Sequence, residues 1–395
     1  MSRPLRIAQV APPMERVPPR AYGGTERVVF ELVKELDRRG HEVTTFASGD
    51  SEIPGRHIAT VPEALRPAGY TGDSLPYFNL TLLSVLDRID EFDIIHSHLE
   101  WVSTLLARVV PIPVIATFHG RLDLPWANET LANAPAGLGL VAISQNQASA
   151  HPDVEWAGIV HNGLTLDDSP FERRRGEGLC FVGRVAPEKG ILEAIEIAKL
   201  SGRPLRIAAK VGPLPPERTY YDEVFKPALA AAGSQVEYLG EVEQAERDQL
   251  FAESYAALMP GSWPEPFGLV AIEALACGTP VVTRRVGALP EIIREGVDGY
   301  FGDDITEMAF KLDLVGELDR TAISRSVRER FSATRMTDAY EEIYRTALAG
   351  GNETEGDDED GLLPASSGST AGGDTGRSPS TQPRPIRPLQ ASTVR

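Results

Sequence analysis

Cysteine is nearly absent. Cys180 and Cys277 are the two in 395 residues. They lie far apart in apolar stretches, without metal-cluster spacing, and read as small buried hydrophobes in a reducing compartment. Positive charge is also scarce: 39 Lys and Arg stand against 57 Asp and Glu, a formal charge of −18. This excludes a general nucleic-acid binder, which needs a concentrated cationic surface. It does not exclude an anionic small ligand, provided that cations and backbone N–H donors are placed locally. No apolar run approaches the ~18 residues of a membrane span, and the N-terminus enters a strand-like stretch without a signal-peptide core. The expectation is a cytoplasmic protein without a transmembrane segment, with peripheral membrane contact left open.

What is present is repeated strand–helix alternation over a length that suits two domains. Leu5 to Ala11 reads as a strand and a Pro-rich loop follows it. Val28, Val29, Leu32, Val33 and Leu36 then recur at helical spacing up to Gly40, and His41 to Ala47 reads as the next strand. Such βαβ units imply a parallel sheet. The pattern continues through Asp93–His98, Pro113–Phe118 and Leu140–Ser144. It restarts at Leu179–Val182 after a polar, Arg-rich linker. Expected domains are 1–165 and 166–336, a helix at 337–349 crossing back to the first domain, and a disordered acidic, Ser/Gly/Pro-rich tail at 350–395. Neither half carries Gly-x-Gly-x-x-Gly at its first strand, which argues against a nicotinamide site.

Four stretches carry candidate chemistry. In Pro264 to Pro280, Glu265 precedes a helix and Glu273 lies on it. A helix start offers free N–H groups and positive potential to a phosphate, Gly268 permits close approach, and the carboxylates can accept from sugar or ribose hydroxyls. In Gly183-Arg184…Lys189-Gly190, two cations fit a diphosphate, and the chain has only six lysines. Gly23-Gly24 opens a strand-to-helix loop where backbone N–H groups can meet a ligand. His119 ends a parallel strand, where open α/β sheets bind ligands. His96 and His98 read as structural, and His161-Asn162-Gly163 as a turn.

Together these residues resemble the glycosyltransferases with two facing Rossmann-like domains (the GT-B fold), and within them the retaining family 4, over roughly residues 4 to 346. The resemblance implies that Arg184 and Lys189 hold the donor diphosphate and that Glu265 contacts donor-sugar hydroxyls. It implies further that backbone N–H groups of Phe267, Gly268 and Leu269 meet sugar and phosphate, and that Glu273 binds ribose. His119 would orient the sugar, and Gly23, Gly24 and Gly183 would make room. Where the family often has Gly-x-Gly, this chain has Ala209-Lys210-Val211-Gly212, so Lys210 becomes a candidate phosphate or base contact. No metal and no cofactor are expected. The expected reaction is retaining transfer of a hexose from a nucleotide sugar, most commonly UDP-linked in such families, to an unidentified acceptor, soluble rather than lipid-linked. The alternatives are donor hydrolysis or epimerisation, and a sugar-nucleotide binder without activity. Acceptor contacts are expected on loops 12–22, 51–80 and 120–135.

Overall fold

A computed structural model describes residues 3–21, 23–135, 137–172 and 176–353. Tyr22, part of the Arg-rich linker, and the expected tail beyond Glu353 lie outside the described residues. The first sheet is built from β1 (Arg6–Val10), β2 (Glu42–Ser48), β3 (Arg56–Val61), β4 (Ile94–Ser97), β5 (Val114–Phe118), β6 (Leu138–Ala142) and β7 (Gly158–Ile159). Its order is β3-β2-β1-β4-β5-β6-β7, parallel throughout. The second contains β8 (Leu179–Arg184), β9 (Leu205–Lys210), β10 (Val236–Gly240), β11 (Ala256–Met259), β12 (Val281–Thr283) and β13 (Gly299–Phe301). Its order is β10-β9-β8-β11-β12-β13, also parallel.

Both sheets are doubly wound, because right-handed crossovers bury the apolar strands beneath helices on each face. Apolar clusters cover both sides of the first sheet and of the second. Strand order reverses beside β1 in one sheet and beside β8 in the other. Loops leaving the strand ends at such reversals form a crevice suited to ligands.

Three helices matter for the site: α1 (Gly24–Arg38), α2 (Leu269–Ala276) and α3 (Ala333–Glu353). Tyr340, Tyr344, Met336 and Ile343 of α3 are buried with Ile7, Val33 and Leu36 of the first sheet and α1. The α1 periodicity marks its apolar face correctly. Its charged face is a different matter: Glu26, Arg27, Glu31 and Glu35 are buried too, because other elements pack on that side. The stretch 51–80 is not all loop. It contains β3 and a helix at Leu75–Leu86. As an edge strand, β3 is only partly covered and shows no continuous apolar run. A helix at Pro125–Ala132 likewise occupies part of 120–135. Among the described residues no helix is long and apolar enough to cross a membrane.

Candidate functional site

A cavity of about 510 Å³ opens where the loops after β1, β4 and β5 meet the loops after β8 and β11. Gly23, Gly24, His119, Gly183, Arg184, Lys189, Glu265, Phe267, Gly268, Leu269 and Glu273 all line it. Lys210 does not. It ends β9 and its Nζ lies 3.3 Å from Glu241 and 3.9 Å from Glu15.

The phosphate-like cradle is built by backbone conformation. Gly268 caps α2 with φ 117°, a left-handed geometry that disfavours any side chain, and an added Cβ would lie 2.9 Å from Leu289 Cδ2. This turn points the free N–H groups of the first helical turn at the cavity. From the opposite wall, Gly24 begins α1, and a Cβ there would sit 3.3 Å from Leu269 Cδ1. Two helix starts therefore approach one another across the site.

Every charged group expected to hold a ligand is already paired. Lys189 Nζ donates to Glu265 Oε1 and lies 5.7 Å from the Trp263 ring centre. Arg184 donates to Glu188 at 2.9 Å and to Glu217 at 3.1 Å. Glu273, 5% exposed, accepts from Arg27 of α1 and lies 3.1 Å from Arg247 Nη2. The Arg27 contact ties the second sheet's helix to the first sheet's. Burial, then the neighbouring Arg247, lowers the Arg27 pKa to about 10, and burial lowers that of Arg247.

The other wall adds a stretch of linked imidazole and carboxyl groups beside Arg27. His119 Nε2 and His98 Nδ1 are 2.9 Å apart, and His98 Nε2 lies 3.0 Å from Gln9 Oε1. Both histidines line the cavity; His98, read from the sequence as structural, stands at the crevice because β4 borders the reversal at β1. Burial lowers the His119 pKa to about 4 and holds His98 well below the usual imidazole range. Glu100 accepts from the Gly120 N–H at 2.8 Å and has φ 49°, the one positive φ among described non-glycine residues. Backbone strain of this kind persists where a site holds it in place. Burial raises its pKa.

Several lining residues were not singled out as candidates in the sequence, among them Glu26, Arg27, Asn162 and Arg247. Glu26 is 4% exposed, and burial raises its pKa to about 7. Asn162 is buried, and among the described residues its Oδ1 has no hydrogen-bond partner. Arg27 and Arg247 line the cavity as well. Position just after Gly23-Gly24 was the one available signal for Glu26 and Arg27. For Arg247, on a solvent-like helix pattern, there was none.

Comparison with known proteins bears on the family and the fold. Residues 168–321 match the family described as Glycosyl transferases group 1, and residues 22–157 match Glycosyltransferase Family 4. A D-inositol 3-phosphate glycosyltransferase of Mycobacterium marinum is 30% identical over 388 residues, covering 82% of each chain. A glycogen synthase of Mycobacterium tuberculosis is 26% identical over 338 residues, covering 71% of this chain and 79% of its own. Among solved structures, AviGT4, a glycosyltransferase involved in avilamycin A biosynthesis, superposes with TM-score 0.62 at 26% identity, covering 88% of this chain and 99% of its own. Anabaena HepE, solved with UDP and glucose, superposes with TM-score 0.67 at 18% identity, covering 87% and 100%, which shows a shared fold.

Proposed function

The chain belongs to the group 1 glycosyltransferases, and on that premise we propose that it moves a hexose from a UDP-linked donor to a hydroxyl acceptor with retention of configuration. The observation that carries this reading is the convergence of Arg184, Lys189, Glu265, Glu273 and the α2 N-terminus on one cavity.

The donor diphosphate would lie against the α2 N–H groups and displace Glu188 and Glu265 from Arg184 and Lys189. Those cations then face the charge that grows on the leaving phosphate as the bond from C1 to its oxygen breaks. Groups placed in advance against developing charge are usually the largest single contribution to catalysis. Glu265, freed from Lys189, accepts from a sugar hydroxyl. Glu273 accepts from the ribose hydroxyls while keeping one arginine. The acceptor oxygen attacks C1 on the face the diphosphate leaves, and its proton passes to the departing phosphate oxygen. Arg184, Lys189 and the α2 dipole supply the positive charge this needs, so a metal-independent reaction is proposed. A soluble acceptor and a cytoplasmic site complete the reading.

The test is titration of a panel of sugar nucleotides, varying base and sugar, into the wild type and Glu273→Ala. Product configuration is then read by proton NMR once an acceptor turns over. Selective binding of a UDP-hexose, weakened in the variant, is the expected result. An inverted anomeric product, or no binding across the panel, overturns the proposal.

A further inference from the structure

Gln9 is a polar residue at 0% exposure on β1, among apolar neighbours, and the chemistry above gives it no task. Its amide joins two hydrogen-bonded groups. Oε1 faces His98 Nε2 at 3.0 Å. Nε2 faces Tyr344 Oη at 3.1 Å and His96 Nδ1 at 3.3 Å. Tyr344, from α3, lies 2.7 Å from the same His96 nitrogen. His96 Nε2 continues to Thr117 Oγ1 at 2.8 Å, and Thr117 to Tyr340 Oη at 2.9 Å. All of these groups are buried.

Proton bookkeeping gives this chain a direction. An amide oxygen only accepts and an amide nitrogen only donates. His98 must therefore carry its proton on Nε2 to satisfy Gln9 Oε1, which leaves His98 Nδ1 as an acceptor. The group facing that nitrogen is His119 Nε2, 2.9 Å away, so His119 carries its proton there. Its Nδ1 is then a lone pair. Among the described residues that nitrogen has no hydrogen-bond partner, and it is not one of the fully enclosed unpaired atoms, while the ring lines the cavity. Burial that keeps both rings neutral is consistent with this arrangement, since a second proton on His98 would leave two donors facing each other and one on His119 would occupy the lone pair.

We infer that Gln9 is a positioning residue that holds His119 in its Nε2–H form, so that the ring offers the cavity a lone pair rather than a proton and selects a donor sugar with a hydroxyl, not a carboxylate, facing it. The selectivity rests on the glycosyl-transfer reading; the tautomer rests on the hydrogen-bond chain alone. A lone pair accepts from a hydroxyl but repels a carboxylate oxygen, and a buried site turns that difference into discrimination of about tenfold or more.

The tautomer is measured first, without ligand, on the full chain labelled with [15N]histidine, from two-bond nitrogen–proton correlations at pH 7.5, with His119→Ala to assign the resonance. The Nε2–H pattern at His119 is expected; an Nδ1–H pattern overturns the inference. Gln9→Leu, or Gln9→Met should the first not fold, is expected to mix the Nδ1–H form into His119. Tyr344→Phe should leave His119 unchanged, because Gln9 Nε2 retains His96. A His119 signal indifferent to loss of the Gln9 amide removes Gln9 from the role. Titration then compares UDP-glucose with UDP-glucuronate. At least tenfold preference for the glucose donor is expected, and equal affinity overturns the selectivity. Binding of neither, with the Nε2–H form observed, overturns the selectivity together with the UDP reading and leaves the tautomer standing.

Discussion

The two walls of the cavity solve the same problem by opposite means. The wall from the second sheet holds formal charge: Arg184, Lys189, Glu265 and Glu273, each engaged by an opposite charge before any ligand arrives. The wall from the first sheet, besides Arg27, holds a run of neutral polar groups, with His119, His98 and Gln9 bonded in series. Charge suits a leaving diphosphate, because an ion pair can be exchanged for another ion pair without stranding a buried charge. A neutral chain suits a sugar, whose hydroxyls are told apart by who donates and who accepts. On the proposed function, each wall is matched to one end of a nucleotide sugar.

Substitutions sharpen this contrast. The largest effect belongs to the charged wall. Lys189→Ala should lower the rate of donor turnover by about 10²–10³ with a smaller change in KM, as for other preorganised groups acting on developing charge. Steady-state kinetics check this, and an unchanged kcat would break the assignment.

Glu273→Ala comes next. It leaves Arg27 and Arg247 buried without their carboxylate, so the protein should lose about 3 kcal/mol of stability, seen as a lower urea midpoint, along with weaker donor binding. Full retention of both would show that the ion pairs across the cavity are incidental.

The third concerns pH. Burial raises the Glu26 pKa to about 7, above its unfolded value, so the folded protein holds this proton where the unfolded chain has released it. Its contribution is fully present below the unfolded pKa near 4.5 and is lost as pH rises through about 7. His119, lowered to about 4 by burial, acts with the opposite sign: its contribution is present above the unfolded value near 6.5 and is lost as pH falls through about 4. The difference between wild type and Glu26→Gln isolates the carboxyl. Relative to wild type, the variant should gain about 2 kcal/mol in stability between pH 5 and pH 8, measured by urea denaturation. A pH-independent difference would refute the raised pKa.

The smallest effect is expected at Lys210, which pairs with Glu241 and Glu15 away from the cavity lining. Lys210→Ala should leave donor KM within about twofold, within the usual reach of a substitution outside a site. A tenfold rise would mean that this lysine swings into the cavity when donor binds.

Legibility followed chemistry. The charged wall was readable because it is local: Glu265 and Glu273 sit eight residues apart around one helix start, and Arg184 and Lys189 five apart in one loop. A helix cap or a strand-to-helix turn imposes such spacing within a single segment. The neutral wall was largely unreadable. Gln9 sits on a strand that otherwise alternates no polar face, and His98 looked like its neighbour His96. Arg27 and Glu26 looked like the solvated side of an amphipathic helix, a pattern that cannot distinguish water from another part of the chain. β3 was missed because an edge strand need not be continuously apolar.

By itself, the sequence determined the alternation of strands and helices, and hence two parallel sheets, since periodicity and chain breakers act over a few residues. It also determined where backbone N–H groups would be left free, at Gly24 and Gly268. The tertiary structure alone decided that β1 and β4 would lie side by side, that Tyr344 of α3 would meet Gln9 and His96, and that Arg27 would reach Glu273. These contacts join residues separated by 87 to 335 positions, and no local preference encodes them. They follow from burying both faces of two sheets at once, which leaves few arrangements in which the remaining polar groups find partners.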